Sequence, residues 1–87
     1  MDWESLGKVT ATFEKDGKSE NEELYLYVKI IAGVPFYAVR LSPNPQYNST
    51  YNVETRVINR NDIRGRVEIE GTIYRFNLPC IGINFQD

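Results

Sequence analysis

Apolar and polar residues alternate along most of this chain with a period of two, which predicts β-strands. Val9, Ala11 and Phe13 alternate with polar residues and predict a first strand. The polar stretch 16–23 that follows is interpreted as an exposed turn. Residues 51–57 alternate in the same way and predict one later strand. A short final strand is expected at Ile81, Ile83 and Phe85.

Two apolar runs flank residues 32–35 and predict a hairpin. A four-residue turn there pairs Ile31 with Phe36, and the same register sets Tyr27 opposite Arg40. Both faces of this hairpin are then rich in apolar residues. The hairpin therefore either lies covered on both sides or exposes an aromatic surface.

A second hairpin is predicted over residues 63–78, with Glu70 and Gly71 as a two-residue turn. This register sorts apolar residues onto one face. It sets Arg66 directly opposite Arg75 on the other face, where like charges are mildly destabilising.

These segments predict a single all-β domain over residues 1–87, built as a small antiparallel barrel or sandwich of six to seven short strands. The alternative is an α+β fold with a helix at about 19–32, because Ser19 followed by Glu22 matches a helix capping box. The tyrosines, valine and isoleucines of that segment favour a strand.

The composition adds limits on location. Cys80 is the only cysteine, so no internal disulfide can form and a reducing, cytoplasmic location is expected. The N-terminus is acidic and lacks the apolar segment of a signal peptide. No apolar run approaches the ~20 residues of a membrane helix, so no membrane partner is expected.

The chemistry of most enzymes is missing from the sequence. The chain has no histidine, and it has neither a P-loop nor a dinucleotide-binding glycine motif. Cys80 is interpreted as a small buried hydrophobe. We expect no catalytic residue, no metal site and no cofactor. Glu54, Glu68 and Glu70 could form a cation site or a carboxylate pair, but a solvated strand face balanced by arginines is the favoured interpretation.

The first candidate for partner binding is the outer face of the first hairpin. Tyrosine and arginine are enriched in the energetically dominant positions of interfaces, and exposed apolar patches mark contact sites. A doubly covered core or a homodimer seam are the competing interpretations. The candidate partner-binding residues are Tyr25, Tyr27, Ile31, Phe36 and Arg40.

The second candidate is a group of arginines that would suit an anionic partner. Neutralisation by Glu54, Glu68 and Glu70 across the strands is the competing interpretation. The acidic pI of about 5.1 also tells against general nucleic-acid binding. The possible anionic-partner-binding residues are Arg56, Arg64, Arg66 and Arg75.

These features favour a small non-catalytic module that binds another protein. It would be an inhibitor or antagonist acting by steric occlusion, as phage anti-defence and toxin-immunity proteins do. The alternative is a small β-barrel that binds single-stranded nucleic acid through tyrosine and arginine. Nothing in the sequence identifies the partner.

Overall fold

The computed structural model describes residues 3–42 and 49–79, which form strands and tight turns with no helix among them. The strands belong to one antiparallel sheet that curls into a half-barrel. The all-β prediction is confirmed. The seven strands are β1 (Glu4–Lys15), β2 (Lys18–Ile31), β3 (Val34–Arg40), β4 (Tyr51–Asn52), β5 (Glu54–Asn59), β6 (Asp62–Ile69) and β7 (Thr72–Leu78).

The curl of the sheet follows from its strand order, which is β4-β3-β2-β1-β7-β6-β5. Strands β4 and β5 lie at opposite edges, yet Val53 alone separates them in the sequence. One residue spans only a few ångströms, so the two edges must approach each other. The Val53 amide donates a hydrogen bond to the Tyr37 carbonyl at 3.0 Å. The single strand predicted over 51–57 is therefore two strands divided at Val53.

The helix considered for residues 19–32 is wrong, because β2 is extended throughout. The exposed turn predicted over 16–23 is correct only at Asp16–Gly17, since Lys18–Glu23 pairs with the second half of β1. All six of these side chains are exposed, so this part of β2 has no apolar face. Apolar and polar residues alternate only where one side of a strand is buried, so a strand segment that buries no side chain shows no alternation.

Three hairpins of the sheet share one kind of two-residue turn. Asp16–Gly17, Ala32–Gly33 and Glu70–Gly71 each place both residues at positive φ, from 51° to 83°. Such turns match the twist of the adjoining strands. The turn at Glu70–Gly71 gives β6 and β7 the predicted register, with Arg66 opposite Arg75.

The predicted register of the hairpin between β2 and β3 is wrong by two residues. Ile31 pairs with Val34, not Phe36, because the turn contains two residues and not four. Pro35 lies within β3 opposite Ile30, beyond the part of β3 that pairs with β4. Proline is tolerated at such an unpaired edge. Because the shift is even, each residue keeps its predicted face.

The core fills the inner side of the curl. Gly65 of β6 provides a close contact there, since a Cβ atom at this position would lie 2.7 Å from Phe76 and 3.0 Å from Val53. The absent side chain lets Val53 pack across β6 where the two edges of the sheet meet. The buried cluster consists of Ala11, Leu24, Leu26, Val28, Tyr37, Val39, Ile63, Val67, Ile69, Tyr74, Phe76 and Leu78.

Two predictions, the buried Cys80 and a strand at residues 81–85, lie outside the described residues. In the described part of the chain there is no helix long and apolar enough to cross a membrane.

Candidate binding surfaces

The outer side of β2 and β3 carries a group of aromatic and aliphatic side chains. Leu24, Leu26 and Val28 are buried in the core, and strand alternation sends the intervening residues to the opposite side. No second layer covers this side within residues 3–42 and 49–79, because all seven strands belong to one sheet. We call this surface the aromatic face and define it by Trp3, Tyr25, Tyr27, Ile31 and Phe36.

Cations lie over the rings of the aromatic face. The Arg40 Cζ atom is 4.6 Å from the centre of the Tyr27 ring. The Lys29 and Lys8 Nζ atoms lie 5.6 Å from Trp3 and 5.7 Å from Tyr25, respectively. These distances are those of cation–π pairs, which stabilise both the ring and the charge.

Arg40 lies diagonally across from Tyr27 and not directly opposite it, as the predicted register had placed it. Its direct cross-strand partner is Tyr25, and Tyr27 is its diagonal neighbour. Diagonal neighbours in a sheet remain within reach of long side chains. The Arg40 Nε also donates a hydrogen bond to Thr50 Oγ1 at 3.2 Å, which fixes the guanidinium in place.

The aromatic face is most exposed near the turn between β2 and β3. Phe36 is 49% exposed, Ile31 45% and Val34 52%. An open hollow of about 460 Å³ lies beside them and is lined in part by Trp3 and Pro35. Side chains this exposed contribute little to the core, whereas a partner could cover them and fill the hollow.

Trp3 belongs to this surface although sequence reasoning missed it. A β-bulge between Ser5 and Gly7 interrupts the alternation of β1, and Gly7 adopts a φ of 87°. A period-two pattern extended back from Val9 therefore assigns the first residues of β1 to the wrong face. The glycine at position 7 is the sequence feature that could have indicated this bulge, and with it the correct face for Trp3.

Comparison with known proteins supplies no family. No protein-family model, no curated protein and no solved structure matches this chain.

The four predicted arginines lie together on the outer side of β5, β6 and β7. Arg56, Arg64, Arg66 and Arg75 line an open groove of about 530 Å³. We call it the arginine groove. Thr10 of β1 and Asn77 of β7 also line it.

Two of these arginines have carboxylate partners. The Arg66 Nη1 lies 3.0 Å from Glu54 Oε2, as the neutralisation hypothesis anticipated. Arg64 donates from Nε and Nη2 to the two oxygens of Asp62, each at 3.2 Å. The hydrogen bond and the negative charge of Asp62 raise the pKa of Arg64 above its usual value. Asp62 is a partner that sequence reasoning did not identify.

The other two arginines have no such partner. Arg56 and Arg75 form no ion pair within residues 3–42 and 49–79. Among these residues, neither Glu68 nor Glu70 pairs with an arginine, so the predicted neutralisation is only partial. Strand register sets Arg75 opposite Arg66 and Arg56 opposite Arg64, so like charges face each other twice. Four arginines against Glu54 and Asp62 leave two positive charges unbalanced.

The carboxylates do not gather into a site of their own. No three His, Cys, Asp or Glu side chains of the described residues are grouped as a metal ion would require. Glu22 instead accepts a hydrogen bond from the Tyr74 hydroxyl at 3.1 Å. Burial, followed by this hydrogen bond, raises the pKa of Tyr74. Tyr74 therefore stays neutral and ties the exposed part of β2 to the core.

Proposed function

We propose that this chain is a small non-catalytic module that binds another protein through the aromatic face. It would act as an inhibitor or antagonist by steric occlusion, in the manner of phage anti-defence or immunity-type proteins. Because the chain has a single cysteine, we place it in a reducing compartment such as the cytoplasm. One observation carries the proposal: Phe36 is about half exposed, beside an open hollow and on an uncovered sheet face.

The chemistry of the face specifies the partner's surface. Lys29 and Arg40 flank the exposed apolar residues, and neither forms an ion pair within residues 3–42 and 49–79. A complementary partner would insert an apolar side chain beside Phe36 and surround it with carboxylates. Such an arrangement matches the common interface plan of an apolar centre within a polar rim.

The rings are also held in place before any partner binds. The cations over Trp3, Tyr25 and Tyr27 restrict ring motion, so little side-chain entropy remains to be lost on binding. The same cations occupy ring faces on which bases of single-stranded nucleic acid would have to stack. This feature, together with the acidic pI, favours a protein partner over the nucleic-acid alternative.

Site-specific photo-crosslinking tests this proposal. A benzophenone amino acid replaces Phe36 in one variant and Ile58 in a control variant. Ile58 is a suitable control because it is 46% exposed but does not line the hollow beside Phe36. Each variant is irradiated in a lysate of the source organism, and the captured protein is identified by mass spectrometry.

We expect one protein to be captured at position 36 and not at position 58, and to form a stoichiometric complex when purified. Equal capture at both positions would show non-specific contact. Specific capture at position 58 alone would place the interface elsewhere and contradict the proposal.

A further inference from the structure

We propose that the arginine groove is a second binding site, separate from the aromatic face, for an extended acidic segment of a protein. The inference does not depend on the proposed function, because the four arginines lie on β5, β6 and β7, whereas the side chains that define the aromatic face lie on β2, on β3 and at Trp3. Among the described residues, Thr55 is the one that lines both the groove and the hollow beside Phe36.

The charge arrangement is the first argument. Directly opposed like charges destabilise a sheet, and this sheet opposes two such pairs side by side. A fold selected for stability alone has simple remedies, such as threonine at one position of each pair. An anionic ligand would remove the repulsion and turn the four guanidinium groups into hydrogen-bond donors.

The spacing of the groove suits an extended peptide. Arg64 and Arg66 are two residues apart on β6, so their Cα atoms are separated by roughly 6.8 Å. Alternate side chains of an extended peptide have the same spacing, so acidic residues at every second position would meet both arginines. Arg56 and Arg75 lie on the strands to either side, and both lack carboxylate partners within the described residues. Thr10 and Asn77 add polar side chains that can bond to a peptide backbone.

The lining of the groove favours an acidic peptide over single-stranded nucleic acid. Phe76 is the one aromatic residue among the lining residues, and it is only 6% exposed. A groove without an exposed ring lacks the aromatic side chains on which successive bases of a single strand stack. The net charge of −2 would also repel the remainder of a nucleic-acid strand, whereas a short acidic segment contacts the groove alone.

Fluorescence anisotropy with a labelled peptide of alternating glutamate and threonine tests the inference. The comparison ligands are a lysine–threonine peptide and an oligothymidylate of matched length. The protein variants are Arg56→Ala and Arg75→Ala, with Lys18→Ala as the control. Lys18 is exposed at the far end of β2, so its loss changes the net charge equally but leaves the groove intact.

We expect the acidic peptide to bind, with an affinity that falls as salt is added. Each groove variant should lose roughly tenfold in affinity, because each removes a charge-assisted hydrogen-bond donor. Lys18→Ala and Phe36→Ala should stay within about twofold, which separates this site from the aromatic face.

Three outcomes would overturn the inference. The first is no binding of the acidic peptide. The second is equal weakening by Lys18→Ala, which would indicate a response to net charge alone. The third is tighter binding of oligothymidylate with the same dependence on Arg56 and Arg75, which would assign the groove to nucleic acid.

Discussion

The aromatic face and the arginine groove lie on the outer side of the same sheet but differ in the partners they give their positively charged side chains. On the aromatic face, Lys8, Lys29 and Arg40 each lie over a ring. In the groove, two arginines have carboxylates, while Arg56 and Arg75 have neither a carboxylate nor a ring within the described residues. The cations of the first surface contribute to the fold, whereas Arg56 and Arg75 of the second lie opposite like charges, with no carboxylate in the described part of the chain to offset the repulsion. The two surfaces therefore differ in whether positive charge is compensated within the fold.

The largest effect on stability is expected at Gly65, which lies between two groove arginines. In Gly65→Ala the new methyl group would meet the Phe76 ring at 2.7 Å and Val53 at 3.0 Å. Overpacking of this kind costs about 1–3 kcal/mol. Urea denaturation should show this loss, while Asn77→Ala, an exposed change beside the same ring, should be nearly neutral. An unchanged stability of Gly65→Ala would mean that Phe76 and Val53 do not pack against Gly65 this closely.

A smaller effect is expected for the cation–π pair of the aromatic face. A double-mutant cycle of Tyr27→Leu and Arg40→Met should give a coupling energy of about 0.5–1 kcal/mol in favour of folding. Tyr27→Phe keeps the ring, so the coupling to Arg40 should persist in that background. A coupling of zero would show that the aromatic face does not stabilise its cations, and the contrast with the groove would disappear.

The smallest effect, with the opposite sign, is expected in the groove. Arg75→Thr removes one member of an opposed like-charge pair and should stabilise the fold by about 0.2–1 kcal/mol. Arg66→Thr relieves the same repulsion but also gives up the ion pair with Glu54, so its net effect should be near zero. Thermal unfolding of the two variants at low salt measures the difference. A destabilised Arg75→Thr would mean that this arginine serves the fold.

The sequence was most informative where a strand buries one face. Alternation identified the sheet, and the glycine at position 71 specified the turn that sets Arg66 opposite Arg75. The four groove arginines could be grouped for that reason. The pairing of Arg64 with Asp62 could not be predicted, because it depends on side-chain conformation and not on the strand pattern.

Other features lay beyond sequence reasoning for physical reasons. Pro35 was assigned to a turn because its lack of an N–H usually ends a strand, but the unpaired edge of β3 accepts it. Residues 18–23 bury no side chain, so this part of β2 shows no alternation of apolar and polar residues. Val53 divides one predicted strand into two, and only the closure of the sheet requires that division.

The proposed function places the partner protein on the aromatic face. The decisive measurement is calorimetric titration of the purified partner, once crosslinking has identified it, against the unmutated protein, Phe36→Ala and Ile58→Ala. The two variants are matched because both positions are about equally exposed. We predict that Phe36→Ala weakens the complex at least tenfold, or about 1.4 kcal/mol, while Ile58→Ala stays within about twofold. Equal affinities of the two variants would contradict the claim.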